Sequence, residues 1–125
     1  MVSSYRDLGV WQKAMALAKA VYALASRLPR EETYGLISQL QRAAVSVPSN
    51  IAEGHAREST REYLRYLLIV RGSLAEVETQ LFLCERLRLL SADDIASALA
   101  ISDEIGKMLR GLQRSLNEKL NEQDR

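Results

Sequence analysis

One histidine, one cysteine and two rows of basic side chains hold whatever chemistry this chain can do. His55 is the only imidazole, and no Ser–His–Asp set can be assembled convincingly around it. A di-iron site in a helical bundle needs two Glu-x-x-His pairs facing inward. Here Glu53 precedes the lone His55 by two residues rather than three, so that site cannot form. Cys84 falls on an apolar stripe with no histidine in register, the pattern of a small buried hydrophobe with a raised pKa. No glycine-rich phosphate loop is present. Catalysis, a metal and a cofactor are all expected to be absent.

The basic residues point to a different chemistry. Arg57, Arg61 and Arg65 recur every four residues along one helix edge, and Lys107, Arg110 and Arg114 make a second row. Such rows can track phosphates, which makes RNA or DNA a candidate partner. Against this, Glu58 and Glu62 precede Arg61 and Arg65 by three residues, the spacing of helix ion pairs. The same residues then form a solvated, self-paired face. Net charge is +1, so the chain has no global field that favours nucleic acid.

A further polar set lies in "AAVSVPSNIAEG", Ala43 to Gly54. Asn50 and Glu53, three residues apart, could form a polar site. The alternative is structural. Pro48 cannot donate to the Ala44 carbonyl and its ring pushes that group aside, so a kinked helix is expected. Ser46, Ser49 and Asn50 can then bond the disturbed backbone. Gly54 is expected to end that helix in a left-handed cap, leaving His55 in a solvated turn.

Four helical patterns must position these residues. Val10, Ala14, Leu17, Val21, Leu24 and Leu28 form a heptad stripe, with Trp11, Met15, Ala18, Tyr22 and Ala25 beside it; Pro29 stops the helix. Leu36, Leu40, Ala43, Val47 and Ile51 make the second stripe. Ser59 and Glu62 form a capping signal for the third helix, whose stripe is Leu67, Val70, Leu74, Val77, Leu81 and Cys84. Ser91 and Asp94 repeat the signal before Ile95, Leu99, Ser102, Ile105, Leu109, Leu112 and Leu116. The third helix reads as the longest and most apolar.

Short connections between comparable helices predict an all-α, antiparallel up-down-up-down four-helix bundle, the second helix kinked at Pro48. At 125 residues, 47% apolar and 26% charged, the chain is one domain, 1–125, with its core over about 5–117 and a tail, 118–125, expected to fray. A helix apolar on more than one face must be covered on more than one side. Self-association is therefore expected, with Tyr63, Tyr66, Ile69 and Phe82 as interface residues. One cysteine, no signal-like N-terminus and no run long enough to cross a bilayer give a cytoplasmic expectation.

The stretches "YGLISQLQRAAVSVPSNIAEGHARES" and "YLRYLLIVRGSLAEVETQL", with the opening "YRDLGVWQKAMALAKAVYALASRLPREE", closely resemble a bacterial family. These are the four-helix-bundle proteins encoded in intervening sequences of 23S ribosomal RNA genes. The resemblance runs from about Tyr5 to Leu90. It implies an up-down bundle and a ring-shaped homo-oligomer, with a pentamer as the expected form and no catalytic residues to carry over. A related branch, the accessory proteins of diversity-generating retroelements, is strongly basic and binds nucleic acid and a reverse transcriptase. The near-neutral charge departs from that branch. Arg57, Arg61 and Arg65 are then the positions to test for nucleic acid, and a structural, protein-binding module is the alternative function.

Overall fold

The structure, a computed structural model, describes residues 4–123. It is all helical, with no strand among the described residues. After a 3-10 turn at Tyr5–Asp7 comes α1 (Gly9–Ala25); a second 3-10 turn (Arg30–Glu32) and a π-helical turn (Thr33–Ile37) lead into α2 (Ser38–Ala56), followed by α3 (Thr60–Arg86) and α4 (Ala92–Gln123). Lys13 meets Glu104 at 2.7 Å and Arg27 meets Asp94 at 3.0 Å, so α1 and α4 run in opposite directions. Tyr66 donates to Glu53 at 3.3 Å and Gln80 to Gln39 at 3.4 Å, which sets α2 against α3 the same way.

The heptad stripes meet in one core. Leu17, Leu40, Ile51, Leu67, Leu81, Ile95, Ile105 and Leu109 are fully buried there. Each such side chain contributes about 1.5–3 kcal/mol relative to exposure. The second stripe of α1 is not a core face throughout: Met15 and Tyr22 are exposed. Among the later stripe positions of α4, Leu112 and Leu116 pack on the core only in part. The tail expected to fray is helical through residues 118–123, which makes α4 longer than α3; positions 124 and 125 lie outside the described residues.

Helix ends follow the capping signals. The Ser59 Oγ accepts from the Glu62 N–H at 3.0 Å. Ser91 and Asp94 form a full reciprocal box: Asp94 N–H to Ser91 Oγ at 3.0 Å and Ser91 N–H to Asp94 Oδ2 at 2.8 Å. The Ser91 backbone donor, then the Arg27 guanidinium, hold the Asp94 carboxyl below its ordinary range.

The C-terminus of α3 closes differently. Arg88 N–H bonds the Glu85 carbonyl and Leu89 N–H the Cys84 carbonyl, both at 2.9 Å, with Arg88 at φ 61°. This is a Schellman turn whose left-handed position carries an arginine where glycine is the usual occupant. The Arg88 Cβ costs about 1 kcal/mol in that conformation. Arg88→Gly is expected to raise the thermal midpoint by a few degrees; an unchanged or lowered midpoint would contradict this reading of the turn.

α2 passes through Pro48 without interruption, from Ser38 to Ala56. The Ser46 hydroxyl donates to the Ala43 carbonyl at 2.7 Å and the Asn50 amide to the Ser46 carbonyl at 2.8 Å, both within the turns around the buried Pro48. Gly54 does not end the helix. It lies inside the last turn, has no positive φ, and Arg57 is the extended cap residue. Its role is steric: a Cβ there would meet the Tyr66 Cβ at 2.7 Å and the Tyr63 Cδ1 at 3.2 Å. Glycine lets α2 and α3 approach closely where they join.

Candidate interaction surfaces

The first basic row meets its own carboxylates at the α2–α3 corner. Arg57 pairs with Glu53 at 3.0 Å and also donates to the Tyr66 hydroxyl at 2.6 Å. Arg65 pairs with Glu62 at 2.7 Å. Both guanidiniums lie against the Tyr66 ring, at 5.0 and 4.9 Å from its centroid. The bond from Arg65 holds the Glu62 carboxyl below its ordinary range, and the same bond raises Arg65. Of the ion pairs expected from helix spacing, Glu62–Arg65 forms; Arg57 instead pairs with Glu53 at the end of α2, and Arg61 is exposed beside this corner.

Asn50 and Glu53 do not come together as a site. Asn50 bonds the backbone of its own helix, while Glu53 faces Arg57 and Tyr66. His55 is not a loop residue: it lies in the last turn of α2, edge-on to Tyr63 at 5.8 Å between ring centroids.

The second basic row differs. Lys107, Arg110 and Arg114 are exposed on α4 and form no ion pair among the described residues. Arg71 of α3 lines the same surface groove as Arg110, together with Asp103 and Glu78. Arg71 escaped the sequence reading because it belongs to neither basic row; only the packing of α3 on α4 brings it there.

Of the four residues expected to form an oligomer interface, two are exposed and two are not. Tyr66 is buried inside the corner just described, since its position on α3 faces α2. Tyr63 is half-buried, and its enclosed hydroxyl has no hydrogen-bond partner among the described residues; burial pushes its pKa up. Ile69 and Phe82 are exposed, and Leu68, Leu83 and Leu87 are exposed with them. Leu68 is 61% accessible and Phe82 48%, high values for side chains of that size in a bundle. Leu68, Gly72, Ala75, Thr79 and Phe82 form one outer ridge at three- and four-residue spacing. That second heptad stripe was legible in principle, but the stronger inward stripe masked it.

No group of three His, Cys, Asp or Glu able to hold a metal occurs among the described residues. Cys84 is buried, and desolvation, then the Glu32 charge, raises its thiol pKa. No helix among the described residues is long and apolar enough to cross a membrane.

Among curated proteins, none matches the chain. A crystal structure of a protein of unknown function from the S23 ribosomal protein family of Bacteroides thetaiotaomicron shares the fold, with a TM-score of 0.77 and 25% identity. The match covers 83% of this chain and 97% of that one. The sequence profile of the 23S rRNA-intervening sequence proteins matches residues 6–111. With its helices, its core and most of its length accounted for in this way, the chain belongs to the 23S rRNA-intervening sequence protein family.

Proposed function

We propose that the protein is a non-enzymatic, cytoplasmic assembly module that works as a homo-oligomer, its copies joined through the outer ridge of α3. The observation that supports this is the set of exposed apolar side chains, Leu68, Phe82 and Leu83 on α3 and Leu87 at its cap, on an element already buried along its opposite face. Exposed apolar side chains gathered on one element are characteristic of interaction surfaces. A ring of five copies is the form the family resemblance implies. A ring needs two different faces on each copy, and exposed Met15, Tyr22 and Val45 on α1 and α2 offer a second. Subunit exchange tests the reading. Two populations labelled with donor and acceptor dyes should develop energy transfer on mixing at micromolar concentration; no transfer, with both populations monomeric, would sink it.

A second reading is RNA or DNA binding, favoured by the unpaired Lys107, Arg110 and Arg114 row and by Arg71 across the groove. Affinity for structured RNA or duplex DNA should fall steeply as salt rises. Changing all three α4 residues to Glu is expected to remove binding, whereas Arg57→Glu with Arg65→Glu should weaken it less, because those side chains are held by Glu53 and Glu62. A flat salt response would eliminate the reading and leave a protein-only module.

A further inference from the structure

A polar groove lies between α2 and α3, apart from the groove of Arg71 and Arg110. Its volume is about 470 Å³, within the range of small-molecule sites. Small residues open it: Ala43 and Ser46 of α2 and Ser73 of α3 line it, and none is long enough to fill the space between the helices. Gln80 donates to Gln39 across one end at 3.4 Å. One turn further along each helix, Arg42 of α2 and Glu76 of α3 reach the same level on opposite banks. Neither has a hydrogen bond or an ion pair among the described residues. Opposite charges that face across a groove and stay apart leave room for a molecule carrying both signs.

The other polar atoms here are mostly acceptors. The Ser46 hydroxyl gives its proton to the Ala43 carbonyl at 2.7 Å and the Ser73 hydroxyl to the Ile69 carbonyl at 3.2 Å. Each then offers only oxygen lone pairs. The enclosed Gln80 Oε1 has no hydrogen-bond partner among the described residues. A buried carbonyl without a donor is costly. The terminal torsion of a glutamine amide is soft, so a small rotation presents this oxygen to the groove that Gln80 lines. Phosphates and other multiply charged anions are disfavoured, because they bring further acceptors and meet Glu76. A zwitterion rich in N–H donors suits the set. On a free α-amino acid the carboxylate would meet Arg42 and the ammonium Glu76. An amide side chain laid toward the Gln39–Gln80 end would donate to Gln80 Oε1 and accept from Gln39 Nε2.

We propose that the α2–α3 groove binds a free α-amino acid with an amide side chain, held by Arg42 at its carboxylate and Glu76 at its ammonium. The proposal goes beyond the assembly reading and does not depend on it.

Nuclear magnetic resonance titration of the isotope-labelled native chain with L-glutamine tests it. Saturable shifts are expected at the Ser46 and Ser73 backbone amides and at the Gln80 side-chain amide. Arg42 and Glu76 are exposed, so solvent screens both contacts and saturation should come in the millimolar range. Arg42→Gln and Glu76→Gln should each weaken binding about fivefold, the upper range for an exposed ionic contact, with helicity unchanged. Lys19→Gln, exposed on α1, should alter nothing. N-acetyl-L-glutamine lacks the ammonium and L-glutamate lacks the side-chain N–H; each should bind more weakly than L-glutamine. An absence of saturable shifts, shifts confined to other positions, or equal binding by these analogues or by the Arg42 and Glu76 variants would overturn the proposal and leave the self-association reading standing.

Discussion

Replacing Gly54 by alanine is expected to lower stability by about 1–3 kcal/mol, the usual penalty for overpacking a filled site. The mechanism is specific. The added methyl carbon would sit 2.7 Å from the Tyr66 Cβ, an atom fixed to the α3 backbone that cannot rotate away. Only a separation of α2 from α3 relieves the clash. That separation would disturb the Tyr66 hydroxyl, which both donates to Glu53 and accepts from Arg57. Gly72→Ala is the matched comparison: its methyl enters open space, so the isolated bundle should gain up to about 1 kcal/mol from better helix propensity. Thermal unfolding of both variants at low concentration checks the pair. Equal behaviour of the two would contradict the close-approach role assigned to Gly54.

The second large effect concerns assembly. Leu68→Glu combined with Phe82→Glu should leave the fold intact, since both side chains point outward and neither belongs to the core. In an assembled state the same changes would place charges inside an apolar contact, where a desolvated, unpaired carboxylate is expensive. Association should weaken by about 100-fold or more, the scale of losing central contact residues. Circular dichroism with concentration-dependent light scattering separates the outcomes. Unchanged helicity with lost association supports the account. Unchanged association would place the contact elsewhere, with the Met15, Tyr22 and Val45 surface next to examine.

Much of the bundle was legible because burial has a period. The inward stripes from Val10 to Leu28, from Leu36 to Ile51 and from Leu67 to Cys84 are buried as their spacing requires. The caps at Ser59 and Ser91 were legible because their hydrogen bonds are local. What sequence patterns could not supply was distance between helices. Gly54 looked like a helix terminator, since glycine at a helix end usually serves as a left-handed cap; the approach of Tyr66 from another helix gives the residue its actual role. Tyr66 looked like a spare aromatic on the outer wheel, whereas the close α2–α3 junction encloses it. The mutual engagement of Arg57 with Glu53 and Tyr66 likewise spans two helices. On the surface, the Leu68–Phe82 stripe was obscured because two stripes on one helix blur into general apolarity.

The central claim is that this bundle completes itself by associating with copies of itself. Sedimentation equilibrium of the native chain over a range of micromolar concentrations tests it most directly. The account predicts a discrete species whose mass is a whole-number multiple of the 14.0 kDa chain, falling toward one chain only on dilution. A single species of 14.0 kDa across the whole range would contradict it.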